Sequence, residues 1–211
     1  MFEVIEEQQA KKILHDILPP RIKQIFASTV YCGMKIAEKN WMEHPELPKL
    51  SRYDAGCQLR FIISYLLTKI ADNELTARLT YTETRGNSSP DYWWDSRIKI
   101  QIKKNDKSEA LPQKSFNRTS NAKSNQGSLF TIDEFSECYV LVTYDHKNFN
   151  CTYIQIGIPD AKYERWLDVE RIENYIDTDT TEYIEKNYGK DLEAALRDEK
   201  ITKQFNLTIN E

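Results

Sequence analysis

Glycine is scarce in this chain, six among 211 residues, and with four cysteines and three histidines there is little material for several familiar kinds of site. The cysteines, Cys32, Cys57, Cys138 and Cys151, form no C-x-x-C pair, and each lies in or beside an apolar run. They are expected as small buried hydrophobes, not zinc ligands. His15, His44 and His146 are too far apart in sequence to suggest a shared metal or a common helix face. No G-x-S-x-G elbow is present, and Asn125-Gln126-Gly127-Ser128 lacks the frame of a phosphate-binding loop, so a simple turn is expected there. No stretch approaches the ~20 apolar residues of a bilayer span. The nearest is Phe61 to Leu67. The opening Met1-Phe2-Glu3-Val4-Ile5-Glu6-Glu7 has neither the basic start nor the apolar stretch of a secretory signal, and a cytoplasmic protein without a membrane segment is expected.

What is present is an ordinary globular balance: 40% hydrophobic residues and a net charge of -4. One domain over 1–211 is expected, of α/β (α+β) class. Residues 1–73 read as helical, with breaks at Pro19-Pro20 and between His44 and Pro48. Between the breaks Ile22, Ile25, Phe26, Val30, Gly33, Ile36 and Ala37 recur at helical spacing. A further helix follows with Asp54 as its expected N-cap and Leu59, Ile62, Ile63, Leu66, Leu67 and Ile70 as its stripe.

From Leu75 the period becomes two. Leu75, Ala77, Leu79 and Tyr81 face one way, and after a turn at 85–90 Ile98, Ile100 and Ile102 alternate with Arg97, Lys99, Gln101 and Lys103. These two stretches are expected as antiparallel neighbours in a mostly antiparallel sheet of about four or more strands spanning 75–160. Tyr139 to Val142 and Cys151 to Ile158 are expected as a second hairpin, turning at Asp145 to Asn148. Residues 105–130 are polar and aperiodic and read as a long loop, the kind that is usually functional or mobile. The segment 161–203 reads as C-terminal helices, the first marked by Trp166, Leu167, Ile172, Tyr175 and Ile176 and another from Tyr183 to Arg197.

The bland total charge conceals an asymmetry. From Arg97 to Lys123 there are eight basic residues against two acidic, a net of +6, whereas Asp160 to Lys200 carries seven basic against thirteen acidic, a net of -6. A local basic surface on an acidic chain points to a polyanion, because Lys and Arg neutralising phosphates supply most nonspecific affinity for nucleic acid. Arg97, Lys99, Lys104, Lys114, Arg118 and Lys123 are the candidate contacts, and Trp93 and Trp94, beside Tyr92, offer faces on which bases stack. The competing reading is plainer: solvated lysines on a strand, and tryptophans partly in a core.

Pro90-Asp91 is followed ten residues later by Gln101-Ile102-Lys103. Over these fourteen residues the chain resembles the PD-(D/E)xK nuclease superfamily. The resemblance implies Asp91 and the residue at 101 as ligands of Mg²⁺ or Mn²⁺, with Lys103 orienting water or stabilising phosphate charge. Gln101 and Lys103 are two apart on a strand and project from one face. Gln101 departs from the family's acid, and a neutral amide is a weaker ligand for a hard cation. Glu83 is a candidate to supply the missing carboxylate beside Asp91 if the first strand extends that far.

Two expectations follow: a nucleic-acid-binding protein of nuclease-like construction, in which catalysis is retained or lost, and a noncatalytic protein-interaction or regulatory protein that uses the polar loop and the aromatics at 92–94. The Lys, Asn, Ile and Tyr bias suits an AT-rich bacterial or phage genome.

Overall fold

A computed structural model of the chain describes residues 7–43, 52–73, 78–83, 89–125 and 137–197. Among the described residues the fold is α+β, with helices from both ends of the chain flanking a six-stranded sheet. Helix α1 (Glu7–Lys12) runs into a π-helical turn (Ile13–Ile17), and Pro20 then opens α2 (Pro20–Glu43). Proline suits this first turn because its missing N–H would have had no intrahelical partner. The expected second break, at 44–48, lies outside the described residues. Helix α3 spans Arg52–Ala71, so Asp54 sits inside the helix and does not cap it.

The stripes expected on α2 and α3 are all buried and meet each other. Gly33 sits against α3: an added Cβ would lie 2.8 Å from Ile63 Cγ1. Its absence of a side chain is what lets the two helices come together there.

Six strands follow: β1 (Leu79–Thr82), β2 (Asp91–Trp94), β3 (Ile98–Lys104), β4 (Cys138–Lys147), β5 (Asn150–Pro159) and β6 (Trp166–Arg171). They lie side by side in chain order, all antiparallel except β3 and β4, which are parallel. The expected pairing of the first strand with β3 is therefore corrected. β2 lies between them, with Tyr81 opposite Tyr92 and Tyr92 opposite Ile100. The Leu75 and Ala77 part of the first strand lies outside the described residues.

The β2–β3 turn places Asp95 at φ 54 and Ser96 at φ 56, and the β4–β5 turn places Asn148 at φ 52 and Phe149 at φ 62. Two successive left-handed residues twist a hairpin in the sense its strands need. Neither turn carries the glycine that usually announces one, which is why β2 is hard to see in the sequence.

A parallel pair requires a crossover, and residues 105–137 supply it. Where an aperiodic loop was expected, the chain forms α4 (Phe116–Ala122) and a 3₁₀ turn (Lys123–Asn125). Ser115 is the N-cap, its hydroxyl accepting from the Arg118 amide at 3.4 Å. A seven-residue helix with one buried residue, Ala122, is too short to show a period. Asn125 ties the crossover to the sheet. Its amide nitrogen donates to the carbonyls of Tyr139 and Pro159 at 3.0 and 2.8 Å, and its oxygen accepts from the Tyr139 amide at 2.7 Å.

The C-terminal expectation also needs one correction. Trp166 to Arg171 is strand β6, not helix, because its backbone completes the edge of β5; a 3₁₀ turn (Glu173–Tyr175) follows. Helix α5 (Thr178–Arg197) is present as expected. Asp177 caps it, accepting from the Thr180 amide and hydroxyl at 2.8 and 2.6 Å, and these bonds hold its carboxyl below the usual range.

One face of the sheet joins α2, α3 and α5 in the main core. The other carries a smaller cluster of Ala122, Tyr139, Leu141 and Tyr163 beneath the crossover. Among the described residues no helix is long and apolar enough to cross a membrane.

Candidate functional site

The pleat of β3 sends Ile98, Ile100 and Ile102 into the main core and turns Lys99, Gln101 and Lys103 to the crossover side. One step beyond the paired Tyr92 and Ile100, Asp91 meets Gln101: the amide nitrogen donates to Asp91 Oδ1 at 2.5 Å. The other carboxylate oxygen is 3.0 Å from Lys99 Nζ, in a pair whose side chains are 13% and 14% exposed. Lys99 also donates to Asn121 Oδ1 of α4 at 3.2 Å and lies 5.1 Å from the centre of the Trp93 ring. The buried hydroxyl of Tyr139, on β4, donates to Gln101 Oε1 at 2.7 Å. Five residues from β2, β3, β4 and α4 thus form one continuous polar chain, Tyr139 to Gln101 to Asp91 to Lys99 to Asn121.

Lys103 stands two residues further along the same face and is in no ion pair among the described residues. Burial pushes its ammonium from the ordinary 10.5 down to about 8, with Arg118 and Arg60 repelling the charge and Asp91 partly restoring it. Arg118 comes from α4, where its guanidinium donates to the Gln113 carbonyl. Arg60 comes from α3, on the opposite side of the sheet. Lys103 is therefore a partly buried cation between two others.

The remaining candidates scatter. Trp93 is half-buried on the side of Asp91, whereas Trp94 packs against the main core. Tyr92 is fully buried, its hydroxyl donating to the Ser64 carbonyl at 3.1 Å, so three adjacent stacking rings do not exist. Arg97 is in the β2–β3 turn, four residues and so about 13 Å of strand away from Gln101. Lys104 is half-exposed and 3.7 Å from Asp145. Lys114 and Lys123 are exposed on the crossover. Glu83 follows the last residue of β1 and is exposed, close enough to Tyr81 to help raise its hydroxyl's pKa.

Arg60, Asn121 and Tyr139 were missed by sequence reasoning. Arg60 reads as the wet side of a helix, and Tyr139 as one more residue of an apolar strand. No local signal ties either to β3.

The donor set suits a divalent ion poorly. Mg²⁺ takes oxygens, commonly one or two carboxylates plus substrate phosphate and water. Here one oxygen of Asp91 holds an amide N–H and the other an ammonium, and Gln101 Oε1 already accepts a hydroxyl. Among the described residues no group of three or more His, Cys, Asp or Glu is placed to hold a metal ion. Lys99 supplies at Asp91 the positive charge that a cation would otherwise bring.

No family model matches the chain, and no curated protein or solved structure matches it significantly.

Proposed function

We propose that this chain binds the phosphate backbone of nucleic acid at the Lys103 end of the β2–β3–β4 face and holds it without hydrolysing it. The observation that carries the reading is the distribution of charge around Asp91. Its carboxylate is committed to Lys99 and Gln101, while Lys103, with Arg60 and Arg118 in electrostatic reach, is left as positive charge in search of an anion. A phosphate oxygen supplies the charge-assisted contacts that such cations lack. Trp93, on the same face as Asp91, adds a ring against which a base can lie. The alternative of a protein partner docking on exposed aromatics at 92–94 loses support from the burial of Tyr92.

The test is fluorescence anisotropy with labelled single- and double-stranded DNA and RNA across a salt series, with the same samples run on denaturing gels in Mg²⁺, Mn²⁺ or EDTA. Neutralisation of about three phosphates predicts an affinity that falls with a log–log salt slope of about -2 on a single strand. The strands should stay intact. Metal-dependent cleavage lost in Asp91→Asn would overturn the non-hydrolytic part of the proposal, and absence of binding to every substrate would overturn all of it.

A further inference from the structure

Beside Lys103 the sheet and α3 part to leave a cavity of about 370 Å³. Arg60 and Ser64 line it from α3, Ser89 from the residues before β2, Lys103 and Lys104 from β3, and Tyr144 from β4. Three of these six residues are cationic, and among the described residues no carboxylate lines the cavity and neither Arg60 nor Lys103 is in an ion pair. Its volume lies in the range of sites that hold small ligands, about 300–1,000 Å³, and exceeds what a bare inorganic anion fills.

We infer that this cavity seats the terminal phosphate monoester of a nucleic-acid strand together with its first nucleotide, so that the protein prefers phosphorylated ends to internal backbone. The inference rests on the nucleic-acid reading above and narrows it. Charge favours an end. A monoester carries about -1.5 to -2 at neutral pH, against one negative charge for a linking diester, and so answers more of the positive charge gathered here. Shape favours it as well. A recess between a helix and the end of a sheet admits a strand terminus head-on, while a continuous backbone would have to enter and leave it. Ile63 and Ile102 give apolar surface for a sugar or base.

The test compares four probes at one salt concentration: an oligonucleotide with a 5′ phosphate, the same strand with a 3′ phosphate, the same strand with hydroxyl ends, and the mononucleotide 5′-monophosphate as competitor. A phosphorylated end should bind on the order of tenfold tighter than the hydroxyl-ended strand, the worth of one or two charge-assisted hydrogen bonds. In Arg60→Gln, with its circular dichroism unchanged, both affinities should fall, the phosphorylated strand losing more than the hydroxyl-ended one, so that the preference disappears. Equal affinity for all three oligonucleotides would overturn the end pocket yet leave backbone binding standing. A preference that survives Arg60→Gln would overturn its location. Competition by the mononucleotide with no preference among the oligonucleotides would assign the cavity to a free nucleotide and overturn end recognition. Failure of every probe to bind would instead remove the function on which the inference rests.

Discussion

Lys23 and Lys103 are both withdrawn from water, the first on α2 against the edge strand β6, the second near the end of β3. Lys23 is 2% exposed, and its ammonium meets Glu170 Oε2 at 2.6 Å. That carboxylate is further held by the Tyr175 hydroxyl at 2.9 Å, and His15 lies 3.4 Å from it. Among the described residues Lys103 has no such acid; Arg118 and Arg60 repel its charge, and Asp91, which partly restores it, is paired with Lys99. A buried charge is tolerated when its partner is built in. Where the partner is missing the charge costs stability, and a fold that keeps it has a use for it elsewhere. The first lysine belongs to the architecture, and the second is the one that the proposed function assigns to binding.

The largest effect should come from breaking the completed pair. Glu170→Ala strands Lys23 in an apolar surrounding and should lower unfolding stability by about 3 kcal/mol, the scale for removing one partner of a buried ion pair. Urea denaturation reads this directly, and a loss under about 1 kcal/mol would mean that Asp168 or water replaces the lost carboxylate.

Removing the other lysine should do the reverse. Lys103→Met takes away an uncompensated cation while keeping most of its volume, so stability should hold or rise, whereas affinity for nucleic acid should drop on the order of tenfold. A destabilised variant with intact binding would show that the two lysines play the same structural part.

The smallest effect is in pH. Because the Lys103 pKa lies at about 8, below its ordinary value, the charge is present at pH 7 and is lost as pH rises through 8. Phosphate affinity should weaken between pH 7 and 9 by a few-fold at constant ionic strength, with a flat profile in Lys103→Met. Stability runs the opposite way. The cost of the buried charge is full below pH 8 and is relieved as pH climbs toward 10.5, where the unfolded chain also loses its proton.

Much of the helical layer was legible because its signal is local. The stripe from Ile22 to Ala37 and that from Leu59 to Ile70 are apolar at a spacing only a helix can bury on one side, and both are buried. The alternation of Ile98, Ile100 and Ile102 was equally plain. Short elements were not. β2 has four residues and a glycine-free turn, and α4 has a single buried residue. β6 was misread since Trp166, Leu167 and Ile172 mimic helical spacing, while its strand form depends on hydrogen bonds to β5. At the site, the expected neighbours Asp91 and Gln101 are in contact, yet nothing local distinguished Lys99, which takes Asp91 for itself, from the lysines at 103 and 104.

The order of residues along the chain determined which faces would be apolar and that basic charge would gather between Arg97 and Lys123, because periodicity and composition are properties of neighbouring positions. Tertiary structure alone decided which charges find partners. Glu170 reaches Lys23 across 147 positions, and Tyr139 reaches Gln101 across 38. Such distances are closed only when sheet register and helix packing set them, and no local pattern encodes the result.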